Sequence, residues 1–189
     1  MQWRGWAVLG LGLWAAGAGA QPIAPDPDPE LRAALSEAVA ASDSFGDRFD
    51  AEVWLLDMSG RLQRFMPDDA ERLEFLRLVH AESRRANLSP ELVLSLIEVE
   101  SLFDRFAISS AGALGFMQVM PFWLKELGRP DDNLFNPQTN LRYGCTILRH
   151  YLDRERDDLI PALARYNGSY GKTWYSERVL KAFDHRWTP

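Results

Sequence analysis

A mainly helical fold is what this sequence predicts, on three observations. Apolar residues recur at steps of three and four: Leu141, Cys145, Leu148 and Leu152 fall on one stripe of a helix. The pairs Ser89-Pro90 and Asn136-Pro137 place a side-chain oxygen at an N-cap and a proline at the first helical position. No run alternates apolar and polar residues long enough to require a sheet, and no internal repeat is evident. With 189 residues, 47% hydrophobic and 25% charged, the chain can bury one core, which excludes a disordered or fibrous protein.

The elements follow in order. Residues 1–20 carry one cation, Arg4, then an apolar run and the small residues Ala18, Gly19 and Ala20, the three-part pattern of a secretory signal cleaved after Ala20. A membrane anchor would want about 20 continuous apolar residues, and glycines dilute this shorter run. Residues 21–29 alternate proline with acidic and small residues, as an extended tether does. An N-terminal helical region is expected over 30–87. Within it, an alanine-rich helix over 30–41 is broken by SDSFGDRFD, and a helical stripe follows through Trp54, Leu55, Met58, Leu62, Phe65 and Met66, although Gly60 leaves a hairpin open. Pro67 closes that segment, and Asp68 with Glu71 forms a capping box that opens a helix to about Ala86. Ser89-Pro90, Asn136-Pro137, Asp158 and Thr173 mark four further starts, and Gly128 and Gly168 stand where helices end.

Charge and composition narrow the function. The formal net charge of −6 becomes one unit more negative without Arg4, so attraction to nucleic acid is not expected. His80, His150 and His185 are far apart and in no metal-ligand spacing; they read as surface or capping residues, and neither metal nor cofactor is expected. Cys145, the only cysteine, reads as a small buried hydrophobe. With no cysteine beside the cleavage site, the exported protein is expected to be periplasmic and without a membrane anchor once the signal is removed.

The helix from Pro90 is apolar nearly all round through Leu92, Val93, Leu94, Leu96, Ile97 and Val99, so it should be buried. Glu98 and Glu100 interrupt it. Two positions on a helix differ by about 200°, so only one of them faces a given cleft, and Glu98, facing away from Glu100, is expected to be dispensable. In the last turn the helix dipole and the apolar neighbours both disfavour ionisation of Glu100. A carboxyl held partly protonated near neutrality suits glycosidic cleavage, in which the leaving oxygen must receive a proton. By position alone, a solvated glutamate at a frayed helix end fits as well. Asp104, the nearest second carboxylate, reads better as a turn cap or surface ion pair.

Residues 88–183 carry an ordered set of motifs: Glu100-Ser101 with Phe103; Ala107, Ser109 and Gly112-Ala113; Gly115-Phe116-Met117-Gln118-Val119-Met120-Pro121; Leu134, Asn136-Pro137, Asn140 and Gly144; Ala162-Leu163; and Tyr166-Asn167-Gly168. In this order and spacing the segment resembles the catalytic domain of the soluble, lysozyme-like (SLT-type) lytic transglycosylases. The resemblance implies a lysozyme-like helical domain over 88–189 with a helical extension before it, and a catalytic acid/base at Glu100. It also implies a sugar-binding cleft lined by Ser109, Gln118, Met120, Tyr166 and Asn167.

Each residue type suits that use. Ser109 and Gln118 can bond acetamido and hydroxyl groups, Met120 offers a polarizable wall, and Tyr166 a ring face with a polar tip. Tyr166 and Asn167 serve equally well as core plug and helix cap, Met117 as core, and Gly112 and Gly115 as packing sites. Arg165 stands where the family usually has alanine, and Phe116 departs from its GLMQ pattern; both are expected at the cleft rim or behind it.

The implied partner is the glycan strand of peptidoglycan. The implied reaction is non-hydrolytic cleavage of the β-1,4 bond between N-acetylmuramic acid and N-acetylglucosamine, leaving 1,6-anhydro ends. Its rivals are a hydrolase of goose-lysozyme type and a binding protein that keeps the cleft without turnover. The binder has no need of a proton donor at Glu100.

Overall fold

The computed structural model describes residues 48–188, and the expected signal, tether and helix over 30–41 lie outside them. Helix α1 (Arg48–Leu62) is followed by α2 (Asp69–Arg85), α3 (Pro90–Ser101), α4 (Phe122–Glu126), α5 (Pro137–Arg154), α6 (Leu159–Asn167) and α7 (Trp174–Ala182), with a π-helical turn (Phe183–Trp187) at the end. The expected mainly helical fold is the one observed. Among the described residues there are no strands, only isolated antiparallel bridges joining Ile108 to Leu114 and Leu114 to Val119. No described helix is long and apolar enough to cross a membrane.

The helix starts are local chemistry. Asp68 accepts the Glu71 N–H, Ser89 that of Leu92, Asn136 that of Thr139 and Asp158 that of Ile160, so each expected cap satisfies one orphan donor. Thr173 precedes α7 as expected but makes no side-chain cap. Near the N-terminus one expectation is corrected and one open alternative is decided in favour of the helix. Helix α1 begins at Arg48, inside the stretch read as a break, and it runs straight through Gly60. The apolar stripe decides this, because Met58, Leu62 and Met66 are buried against the rest of the domain and a hairpin would scatter them.

Helix α3 is the axis of the core. Val93, Leu94, Leu96 and Ile97 are fully buried, and α2, α7 and the π-helical turn all pack on it. Helix α5 lies against α2 and α6, with Leu141, Cys145, Leu148 and Leu152 turned inward as their spacing predicts. The N-terminal helices complete this core. Phe75 of α2 meets the Phe116 ring at 4.5 Å, and Arg61 of α1 donates to the carbonyls of Arg186 and Thr188. Buried Glu82 on α2 is bound by Arg142 of α5 and by Arg85, so its charge is compensated on both sides.

Candidate active site

Helix α3 ends one residue past Glu100, where Leu102 turns left-handed (φ 51°) and returns its N–H to the Glu98 carbonyl. The termination leaves Glu100 in the last turn, partly exposed beside a buried apolar core. Helix α7 packs directly on α3 and brings Tyr175, whose ring is buried, to donate its hydroxyl to a Glu100 carboxylate oxygen. Burial pushes the Glu100 carboxyl up from 4.5 to about 7, while the Tyr175 hydrogen bond and the positive charge of Arg178 pull it partway back. The raised pKa expected from position is therefore present, with burial as its main cause. No carboxylate is among the groups that shift Glu100. Asp104 is exposed and caps a turn by accepting the Phe106 N–H, one of the two roles its sequence context favours.

The loop between α3 and α4 forms the facing part of the site, and Asn140 fixes it from below. This fully buried amide donates to the carbonyls of Leu114 and Leu134 and accepts the Met117 N–H. Gly115 lies on that anchor with φ at 72°, and a Cβ there would come 2.6 Å from the Leu134 carbonyl oxygen, so close packing accounts for it. Gly112 differs, since open space surrounds its Cβ position and only its φ of 84° calls for glycine.

The residues expected to line a cleft divide into two groups. Tyr166 donates its hydroxyl to the Met117 carbonyl at 2.7 Å; burial pushes its pKa up, and Glu100 stands near enough for its charge to add to that. Gln118, left-handed at φ 50°, spends its amide N–H groups on the carbonyls of Ala107 and Gly115. Only its amide oxygen remains to meet a ligand. Glu100, Tyr175 and Tyr166 thus form one constellation, and Gln118 follows in sequence the Met117 whose carbonyl Tyr166 binds.

Ser109 and Met120 are half-buried on the same loop. The Ser109 hydroxyl oxygen accepts the Ala113 N–H, which leaves its proton to donate. Asn167 is exposed at the end of α6, and no hydrogen bond among the described residues joins it to the Glu100 group. Phe116 and Met117 are core, and Met117 fills the space left by Gly144. Arg165 pairs with Glu155 and lies 3.7 Å over the ring of exposed Tyr170.

Sequence reasoning missed Tyr175 and Arg178. A signal was present: from the start at Thr173, Tyr175, Val179 and Ala182 fall on one buried face. A tyrosine on such a face needs a partner for its hydroxyl. The reading of Glu98 also changes. It does face away from Glu100, but it is buried and binds Arg186 and the Trp187 indole N–H, so it ties α3 to the C-terminal turn.

A cavity of about 640 Å³ lined by Trp54, His80, Arg84 and Glu91 lies at the opposite, N-terminal end of α3. It contains nothing resembling the carboxyl–phenol arrangement at Glu100. Among the described residues no group of three or more His, Cys, Asp or Glu side chains is placed to hold a metal ion.

The chain is similar in sequence to known proteins. The transglycosylase of Enterobacteria phage PRD1 is 34% identical over 115 residues, which are 58% of this chain and 43% of that protein. Membrane-bound lytic murein transglycosylase C of Actinobacillus pleuropneumoniae is 34% identical over 122 residues, covering 59% of this chain and 33% of its own. Lytic transglycosylase Slt from Pseudomonas aeruginosa, solved as an inactive mutant, aligns with a TM-score of 0.45 at 22% identity over 57% of this chain and 20% of its own. The chain thus spans less than half the length of these relatives. The family model for the transglycosylase SLT domain matches residues 77–186, which begins within α2, takes in the whole Glu100 constellation and covers more than half of the chain; the protein belongs to that family.

Proposed function

We propose that this protein is a peptidoglycan lytic transglycosylase that cleaves the β-1,4 bond between N-acetylmuramic acid and N-acetylglucosamine. The carrying observation is the Glu100 carboxyl, held near pKa 7 by burial and oriented by the Tyr175 hydroxyl. Such a group gives and takes a proton with similar ease at neutral pH, which a single residue serving as acid and then base must do.

In the first step the Glu100 proton goes to the glycosidic oxygen, and the C1–O4 bond breaks with its electron pair on the leaving sugar. The positive charge developing at C1 is met by the substrate's own acetamido oxygen in place of a second carboxylate. Glu100, now ionised, then takes the proton of the muramyl 6-hydroxyl as that oxygen bonds to C1. A 1,6-anhydro ring closes and the carboxyl is again protonated, so no water is consumed.

The remaining parts have supporting tasks. The Gln118 amide oxygen accepts from a sugar N–H or hydroxyl, Ser109 donates, and Met120 offers an apolar contact. Asn167 presents its amide at the end of α6. Tyr166 acts through the backbone, fixing the Met117 carbonyl beside Gln118. The protein works on the cell wall after export, with cleavage after Ala20 giving a periplasmic form that begins at Gln21.

Digestion of purified sacculi with the full protein, followed by mass analysis of the fragment ends, tests the reaction. Ends of 1,6-anhydromuramic acid are expected. Reducing ends would make it a hydrolase, and an untouched sacculus would make it a binder.

A further inference from the structure

Helix α7 touches the site through Tyr175, and it carries a second, outward stripe. Trp174, Arg178 and Lys181 follow one another at i, i+4 and i+7, within about 60° of one another around the helix axis. Trp174 is half-exposed and both cations are exposed. Arg178 lies three residues beyond Tyr175, so it stands at the border between the buried face that reaches Glu100 and this exposed ridge. Its charge is felt at Glu100 and at Tyr175.

The other cations near the core are mostly committed. Arg165 is held by Glu155, Arg186 by Glu98, Arg142 and Arg85 by Glu82, and Arg149 by Asp153 and Asp157. Among the described residues no ion pair joins Arg178 to a carboxylate, in a chain whose net charge is −6. A guanidinium left free beside a catalytic carboxyl, next to an exposed indole, is arranged for an anionic sugar. The ring stacks on the indole and a carboxylate meets the planar fork.

Building on the reading of the site as a peptidoglycan-cleaving one, we infer that Arg178 is a specificity-determining residue. It binds a carboxylate of the muramyl side chain, so that the enzyme selects acidic muramyl glycans over neutral N-acetylglucosamine polymers, with Trp174 stacking on the same sugar. Two carboxylates meet that description, the free lactyl group and the acidic residue of an attached peptide. They differ in reach from the ring.

Binding calorimetry on the Glu100→Gln protein, which should hold ligand without turnover, tests this. The probes are chitotetraose, the N-acetylglucosamine–N-acetylmuramic acid tetrasaccharide with free lactyl carboxylates, its methylamide, and its L-Ala-D-Glu conjugate. The acidic tetrasaccharide should bind about tenfold tighter than chitotetraose, the size expected of a partly solvated charge-assisted hydrogen bond. Adding Arg178→Gln should erase that preference and leave chitotetraose unchanged. Amidating the carboxylate should do the same without further loss in the double variant. Whichever carboxylate loses more on Arg178→Gln, lactyl or peptide, is the ligand.

Equal weakening of acidic and neutral glycans would overturn the inference, as would a changed pH profile of cleavage with unchanged preference, since Arg178 would then act only on Glu100. If no glycan binds before Arg178 is altered, the peptidoglycan reading itself falls. Circular dichroism of the variant guards the comparison, and the methylamide arm needs no change at Arg178.

Discussion

Replacing Glu100 by glutamine should silence the site and stabilise the protein, with a pH dependence of definite sign. The carboxyl rises from 4.5 unfolded to about 7 folded. Between these values the native state holds a proton that the unfolded chain releases, so the unfolding free energy falls as pH rises through that window. Below about pH 4.5 the group is neutral in both states and contributes nothing. Above about pH 7 the folded protein carries a poorly solvated carboxylate. The cost there is the full difference in proton affinity, about 3 kcal/mol at about 1.4 kcal/mol per tenfold change. Partial exposure of the side chain lowers this to about 2 kcal/mol.

Glutamine removes the charge and keeps an oxygen to accept the Tyr175 hydroxyl, so the gain should appear without loss of packing. Urea denaturation of both proteins at pH 4.5, 6 and 8.5 measures it. The variant should be about 2 kcal/mol more stable at pH 8.5 and equal at pH 4.5, while sacculus cleavage disappears. A variant that is no more stable at pH 8.5, or equally stabilised at both extremes, would refute burial as the cause of the shift. Residual cleavage near the parent rate would refute the role of the acid.

Three further outcomes follow from the same geometry. Tyr175→Phe removes a hydrogen bond that favours the charged carboxylate, so the pH at which kcat/KM declines on the alkaline side should move upward; an unchanged profile would detach Tyr175 from the acid. Tyr166→Phe leaves the Met117 carbonyl without its donor and should cost about 1 kcal/mol in denaturant unfolding, accompanied by slower cleavage. Normal turnover with the same loss of stability would make Tyr166 purely structural. Glu98→Gln weakens the link from α3 to Arg186 and Trp187 and should cost about 1–3 kcal/mol while cleavage persists at 25 °C; an unchanged unfolding midpoint would show that the link contributes little.

What was legible in the sequence was whatever a few neighbouring residues decide. Asp68, Ser89, Asn136 and Asp158 cap helices through donors two or three positions away, so side chain and partner are read together. Glu100 was legible because its conflict with an apolar helix end is itself local. Tyr175 was not, since its bond to Glu100 spans 75 positions and depends on how α7 crosses α3. Gln118 and Tyr166 were expected to line the cleft, but the direction of their polar groups was illegible. Both turn toward backbone carbonyls of the loop, Gln118 to those of Ala107 and Gly115 and Tyr166 to that of Met117, and these positions are set only once the loop is folded. Thr173 shows the converse, for a residue of good capping type precedes a helix and makes no cap.

The contrast between Glu98 and Glu100 supports the proposed role of Glu100 as proton donor. Two positions apart, they face opposite sides of α3, and the chain treats them oppositely. Glu98 is buried more deeply, yet Arg186 supplies a cation and Trp187 a second donor, so its charge is compensated in place and the side chain serves as a strut between helix and C-terminus. Glu100 receives a neutral phenol, while the charge of Arg178 acts on it from an exposed position. A cation brought into hydrogen-bond contact with Glu100 would hold it ionised and remove the proton it must give. Burial with no donor at all would keep it neutral and leave it a poor base. The phenol allows both states within one geometry, and the strut on the opposite face keeps that geometry fixed while the carboxyl alternates between them.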